Sequence, residues 1–219
     1  MSAAKSLKLL NRFTSCDIGD ALVKLKVPNG GFLDGIRLFS PANNGRIIGP
    51  AVTVKMVESS DSSAPRLDKH FVDHNQEGVI MYIQQPKGLP SACWGGLMST
   101  RAQFLGTKGV VIDGRMRDVN EHRGMKFPVF ARGISILGSN TFTRASTVNE
   151  PLQFKDDLWV NPGDLLVCDD DGCVAVPLSL VDKVAELCEA RAEVDEITFD
   201  KLRKGEEMGE LIQTIRKDK

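Results

Sequence analysis

GVVIDGRMRDVNEHRG, residues 109–124, is the stretch on which the fold turns. Val110, Val111 and Ile112 form a short apolar, β-branched run that Gly114 stops. Such a run reads as a buried strand. Polar residues crowd in directly after it, at the strand's C-terminal edge, where α/β proteins place their sites. Arg117 and Asp118 are adjacent there. Together they offer one fixed cation for a substrate carboxylate and one hard oxygen ligand for a metal. Mg²⁺ commonly takes only one or two protein carboxylates and fills its octahedron with water and substrate oxygens. An isolated Arg-Asp dipeptide is more often a surface ion pair, so the pair gains weight only from its surroundings.

Outward from this strand the pattern repeats. GVIMYIQQ at 78–85 and PVFARG at 128–133 are further buried strands, and a helix is expected over 99–106. IIGPAVTVKMV at 47–57 alternates and is rich in Val and Ile, a strand interrupted near Gly49-Pro50. ESSDSSAPR at 58–66 is polar and loop-like. Residues 158–177 read as strand, Asn-Pro-Gly-Asp turn, strand, acidic turn, strand. Leu7 to Val23 has helical spacing, with Thr14 or Ser15 and Asp17 as a cap for a second helical turn, and Pro28-Asn29-Gly30-Gly31 ends it. Ser179 to Asp182 resembles a capping box. A charged amphipathic helix follows, with Val181, Val184, Leu187, Cys188, Val194 and Ile197 on its apolar side. The tail from 206 to 219 supplies a last helical turn or two. The expectation is one α/β domain over 1–219, with a β-rich middle and helical ends.

CWGGLMSTRAQFLG, residues 93–106, places Gly95-Gly96 just before a helix. Backbone N–H groups at a helix start lack internal partners and attract anions, and glycine lets a ligand approach closely. The bland alternative is a tight turn packed on Trp94.

Composition narrows the function classes. With 219 residues and a formal net charge of −1, no surplus of Lys and Arg favours nucleic acid or an anionic membrane. No signal-peptide pattern and no long apolar window is present, so neither secretion nor a membrane span is expected. Five cysteines, an odd number without a disulfide rhythm, fit reduced thiols in a cytoplasmic protein.

GGLM at 95–98, GVVIDGRMRDV at 109–119, FPVFARG at 127–133 and PGDLLVCDDDGCVAVP at 162–177 together resemble the RraA-like family. TSCDIGDAL and GPAVTVK match its N-terminal pattern, so the resemblance runs from about 14 to 185, with a helical extension at about 179–216. That family includes class II 4-hydroxy-4-methyl-2-oxoglutarate and 4-carboxy-4-hydroxy-2-oxoadipate aldolases. The resemblance implies a swivelling β/β/α-type fold in a homotrimer or homohexamer with sites at subunit interfaces. It implies that Arg117 binds substrate, that Asp118 holds Mg²⁺ (or Mn²⁺ or another divalent cation), and that Gly95, Gly96, Leu97 and Met98 bind the pyruvyl carboxylate through backbone amides. The implied chemistry is carbon–carbon cleavage of a small 2-oxo acid to pyruvate enolate, by aldol cleavage or by oxaloacetate decarboxylation. Many aldolase members carry an acidic residue where this chain has Gly96. Decarboxylation needs no base, so it is expected to tolerate that departure better. The second class is a non-catalytic regulator that binds ribonuclease machinery, as some relatives do.

Other chemistries have thinner support. Lys55 is the one candidate for an imine, but alternation puts it on a polar strand face. No G-x-S-x-G motif occurs. His70 and His74 are four apart and could share a helix face, yet no zincin glutamate accompanies them, so they read as structural. Cys168 and Cys173 are expected to face each other as buried thiols across a hairpin. Asp169-Asp170-Asp171 lacks EF-hand spacing and reads as a solvated turn.

Overall fold

In the computed structural model, residues 3–41 and 46–216 are described. Two helices, α1 (Ala3–Leu10) and α2 (Ser15–Lys24), lead into strands β1 (Arg37–Ser40), β2 (Ile47–Glu58) and β3 (Ile80–Gln84). Then come α3 (Gly96–Phe104), β4 (Gly109–Met116), α4 (Val119–Met125) and β5 (Val129–Ile134). Strands β6 (Thr143–Val148), β7 (Leu152–Lys155), β8 (Leu158–Val160), β9 (Leu165–Cys168) and β10 (Cys173–Val176) follow, and α5 (Val181–Arg203) and α6 (Met208–Thr214) finish the chain.

The main sheet runs β1-β5-β4-β3-β2-β9-β10, with β6 also on β2. β2 to β5 are parallel neighbours, and β1, β6 and β9 pair antiparallel. Parallel strands covered on both faces read as continuous apolar runs, which is why GVVID does not alternate. Val110 and Ile112 face a core shared with Trp94, Ala102 and Phe127 beneath α3 and α4. Val111 faces the opposite way, against Tyr82, Phe130, Leu166 and the β7–β8 hairpin. The far sides of β9 and β10, through Leu165, Val167, Val174 and Val176, pack on Leu10, Ile18, Leu22 and Val184 of the helical layer. The architecture is therefore mixed α/β, with a curled sheet between helical layers, and helices at both ends as expected.

Several local readings hold. Thr14 caps α2 in a full capping box with Asp17, an arrangement worth about 1 kcal/mol. Cys168 and Cys173 are opposed in register and buried, and Lys55 points outward from β2. Others change. The expected break at Gly49-Pro50 is a change of partner within one strand: residues 47–50 pair with β9, and pairing with β3 begins at Ala51. Pro50 lacks an N–H, so it suits the crossover. β8 pairs with β7 instead of β9. α5 has no side-chain cap and is preceded by a 3-10 turn at Leu178–Leu180. Ile197 is half exposed; Val181, Val184, Cys188, Val194 and Thr198 form the buried stripe. His70 precedes a short 3-10 turn, Phe71–His74, and its Nδ1 accepts the Val72 N–H. Asp169 takes both the N–H and the hydroxyl of Ser15, so that acidic turn is tied to α2. Residues 217–219 of the expected helical tail lie outside the described residues.

Candidate active site

The segment before α3 runs alongside the end of β4. Cys93 N–H donates to the Arg115 carbonyl at 2.9 Å, and Arg117 N–H donates to the Trp94 carbonyl at 3.0 Å. Trp94 is buried, and its indole N–H donates to Ser99 Oγ at 2.7 Å, which fixes the turn from below. The Gly95-Gly96 turn packs on Trp94, and that packing delivers it beside Arg117 and Asp118. Gly95 is the N-cap of α3, which begins at Gly96, at the glycine pair as expected and three residues before the start of the helix expected over 99–106.

Asp118 stands at the start of α4 with φ +65°. Asp enters this left-handed region more readily than most residues. Its Oδ2 accepts the Gly96 N–H at 2.9 Å and lies 3.5 Å from Arg117 Nε. Among the described residues no hydrogen bond reaches Oδ1, and no acceptor is paired with the Leu97 N–H. One carboxylate oxygen and one helix-start amide therefore remain open. The Arg117 side chain is 44% exposed and that of Asp118 28%, so both are reachable from solvent.

Three glycines make the space. A Cβ on Gly95 would lie 2.6 Å from Asp118 Oδ2, and one on Gly138 would lie 3.0 Å from an Arg117 guanidinium nitrogen. A Cβ on Gly96 would fall on the Glu121 carboxylate. Glu121, in the first turn of α4, thus occupies the volume that a side chain at 96 would need. The cleft so formed holds about 180 Å³ and is lined by Gly95 to Met98, Arg117 and Asp118 together with Gly138 to Asn140. All six residues expected from the sequence line this one cleft. Glu121 and the Gly138–Asn140 loop were not legible from sequence: Glu121 looks like an ordinary helix-surface acid until the fold turns α4 toward α3.

His122, fully buried, supports the site from behind. Its Nε2 lies 2.7 Å from the Arg117 carbonyl, to which the ring N–H donates, while Nδ1 has no partner among the described residues. Burial pushes its pKa below the ordinary imidazole value; the Arg117 carbonyl and the carboxylates of Asp118 and Glu121 oppose that without reversing it. That direction favours the neutral ring, which holds the backbone turn between Arg117 and α4.

A divalent cation fits the donor set in one way. No group of three or more His, Cys, Asp or Glu side chains able to enclose a metal occurs among the described residues. The open Oδ1 of Asp118, with the Glu121 carboxylate nearby, suits a hard ion that keeps most of its water and takes oxygens from a ligand. No helix among the described residues is long and apolar enough to cross a membrane.

Comparisons with known proteins agree with the fold. Residues 15–175 match the family model described as RraA-like, Aldolase/RraA. A Halalkalibacterium halodurans protein named "Putative 4-hydroxy-4-methyl-2-oxoglutarate aldolase" is 30% identical over 169 residues, 75% of this chain and 78% of that protein. Protein DlpA of Legionella pneumophila is 27% identical over 173 residues, 78% of this chain, but the match spans only 27% of DlpA. Among solved structures, an uncharacterized Pseudomonas syringae protein superposes with a TM-score of 0.82 at 26% identity, covering 95% of this chain and 97% of that one. Streptomyces coelicolor RraAS2, described as an unusual member of the RNase ES inhibitor RraA protein family, gives 0.78 at 23% identity, covering 93% of this chain and all of that one. With the fold, the glycine turn and the Arg-Asp strand end all in place, the chain belongs to the RraA-like family.

Proposed function

We propose that this protein is a divalent-metal-dependent carbon–carbon lyase acting on small 2-oxo acids to release pyruvate enolate. One observation carries the reading: a guanidinium, a carboxylate with a free oxygen and an open helix-start amide converge in a single small cleft. The relatives' aldolase names support the lyase class.

Each residue has a task in this scheme. Arg117 and the Leu97 N–H bind the substrate carboxylate, a charge-assisted contact backed by the α3 helix dipole. Asp118 would hold Mg²⁺ or Mn²⁺, and its bond from Gly96 keeps the carboxylate oriented. The cation, when bound, supplies Lewis acidity against the negative charge that grows on the 2-oxo oxygen as the carbon–carbon bond breaks. Aldol cleavage also requires a proton to leave the 4-hydroxyl, and the Glu121 carboxylate, which lies against Gly96 at the edge of the cleft, would accept it directly or through water. Decarboxylation of oxaloacetate needs no such acceptor.

Leu97 is 89% exposed beside the cleft and Ile136 is 93% exposed beyond β5. These apolar residues support a homotrimer or homohexamer that covers the site's rim. No partner in nucleic acid or membrane is proposed.

The test is pyruvate release from oxaloacetate and from 4-hydroxy-4-methyl-2-oxoglutarate, coupled to lactate dehydrogenase, with Mg²⁺ or Mn²⁺ and then with chelator. Turnover that depends on the cation is expected. Binding of RNase ES without any turnover would instead favour the regulatory role that the description of the RraAS2 structure suggests.

A further inference from the structure

A second cavity, of about 480 Å³, opens where the carboxyl ends of β3, β4 and β5 lie side by side. That volume falls within the range of small-molecule sites, about 300–1,000 Å³, and strand ends of this kind are where open α/β sheets bind ligands. It shares no lining residue with the Arg117–Asp118 cleft.

Its charge is unbalanced. Lys87, Arg115, Arg132 and Lys155 line it, against Asp34 and Asp113. Arg132 is committed: its Nε bonds Asp113 Oδ1, its NH1 donates to the Asp34 carbonyl at 3.0 Å, and its guanidinium lies 5.0 Å from the centre of the Phe154 ring. Arg115 spends one nitrogen on the Ile134 carbonyl at 3.0 Å. Asp113–Arg132 is the only ion pair of this lining among the described residues, so Lys87 and Lys155 are left without an acidic partner.

The floor, by contrast, is held by hydrogen bonds. Gln85 is buried; its Oε1 accepts the Arg115 N–H at 2.9 Å, and its Nε2 donates to the Ser91 carbonyl at 2.8 Å. A Cβ on Gly114 would collide with the Gln85 amide, so the backbone is pressed against that side chain. Asp113 is also buried and anchors Arg132 in place. Two exposed ammonium groups over a fixed polar floor form a receptor for negative charge, and the enclosed volume limits the ligand's size.

We propose that this cavity is a second ligand site, one that takes a small organic dianion, a dicarboxylate or a phosphate monoester, on Lys87 and Lys155 with Arg115 beside them. It does not depend on the lyase reading, since it uses none of that cleft's residues.

Calorimetric titration of the full chain in chelator, with succinate and with glycerol 3-phosphate as separate probes, tests it. The comparison set is the unmodified protein, Lys87→Ala/Lys155→Ala and Arg117→Ala. At least one probe should bind the unmodified protein and Arg117→Ala alike, and at least tenfold more weakly to the lysine double variant. Succinate alone identifies a dicarboxylate site, and glycerol 3-phosphate alone a phosphate-ester site; both lysines are exposed, so circular dichroism of the double variant should be unchanged. Binding that survives the double variant but disappears in Arg117→Ala, or no binding of either probe at millimolar concentration, would overturn the proposal.

Discussion

Asp118 Oδ2 holds the amide of Gly96 at 2.9 Å, joining two parts of the chain that are 22 residues apart. The same carboxylate sits on a residue in left-handed backbone. Its charge, its hydrogen bond and its conformation can therefore be separated by choice of substitution.

Asp118→Asn keeps an oxygen for Gly96 and tolerates the left-handed backbone, but it removes the charge. Cation-dependent turnover should fall about 100-fold or more, which corresponds to about 2.7 kcal/mol, with little change in Tm. Asp118→Ala should lose the same activity and also about 1–2 kcal/mol of stability from the backbone strain. Rates measured beside thermal melts check this; a fully active Asn variant would remove Asp118 from the metal.

Glu121→Ala should separate the two reactions. Aldol cleavage is expected to slow about 100-fold, at the lower end of general acid–base contributions. Oxaloacetate decarboxylation should stay within about threefold. Gly96→Asp in the same background puts an acid back into the vacated volume, and partial recovery of aldol cleavage is expected. Equal losses in both reactions would show that Glu121 only shapes the cleft.

Lys55→Ala should leave both activities within about twofold, because its side chain faces outward on β2. Borohydride added during turnover should give no pyruvyl adduct on the protein by mass spectrometry. A labelled Lys55 would replace the metal scheme with imine chemistry.

His122 gives stability a pH dependence of known sign. Its folded pKa lies below its ordinary value of about 6.5, so in acid the unfolded chain binds a proton that the native chain refuses. The stability is complete above about pH 6.5 and is lost as pH falls from there toward the folded pKa. A Tm series across that window should slope less steeply in His122→Gln, which keeps a donor for the Arg117 carbonyl.

The sequence made much of this molecule legible, for physical reasons. Val110 to Ile112 could be placed because residues buried on both faces leave an unbroken apolar run, and the Thr14–Asp17 cap because its spacing is local. All six expected site residues sit in short segments whose chemistry is nearly complete before folding. What stayed hidden depends on distant contacts. Glu121 acquires its place only when α4 turns toward Gly96. Strands β1, β6 and β7 are short, with mixed exposure, and their pairing partners decide them. Ile197 shows the converse limit: helical spacing put it inside, but Val194 and Thr198 take the buried face of the second half of α5 and leave Ile197 half exposed.

The twelve residues of β2 belong to both halves of the sheet, paired with β9 up to and including Pro50 and with β3 and β6 after it. Neither half can come apart from the other without releasing hydrogen bonds made by this one strand. Thermal opening should therefore be a single concerted event, and a glycine inserted after Pro50 would slip the register of one half against the other and disturb the cleft from a distance.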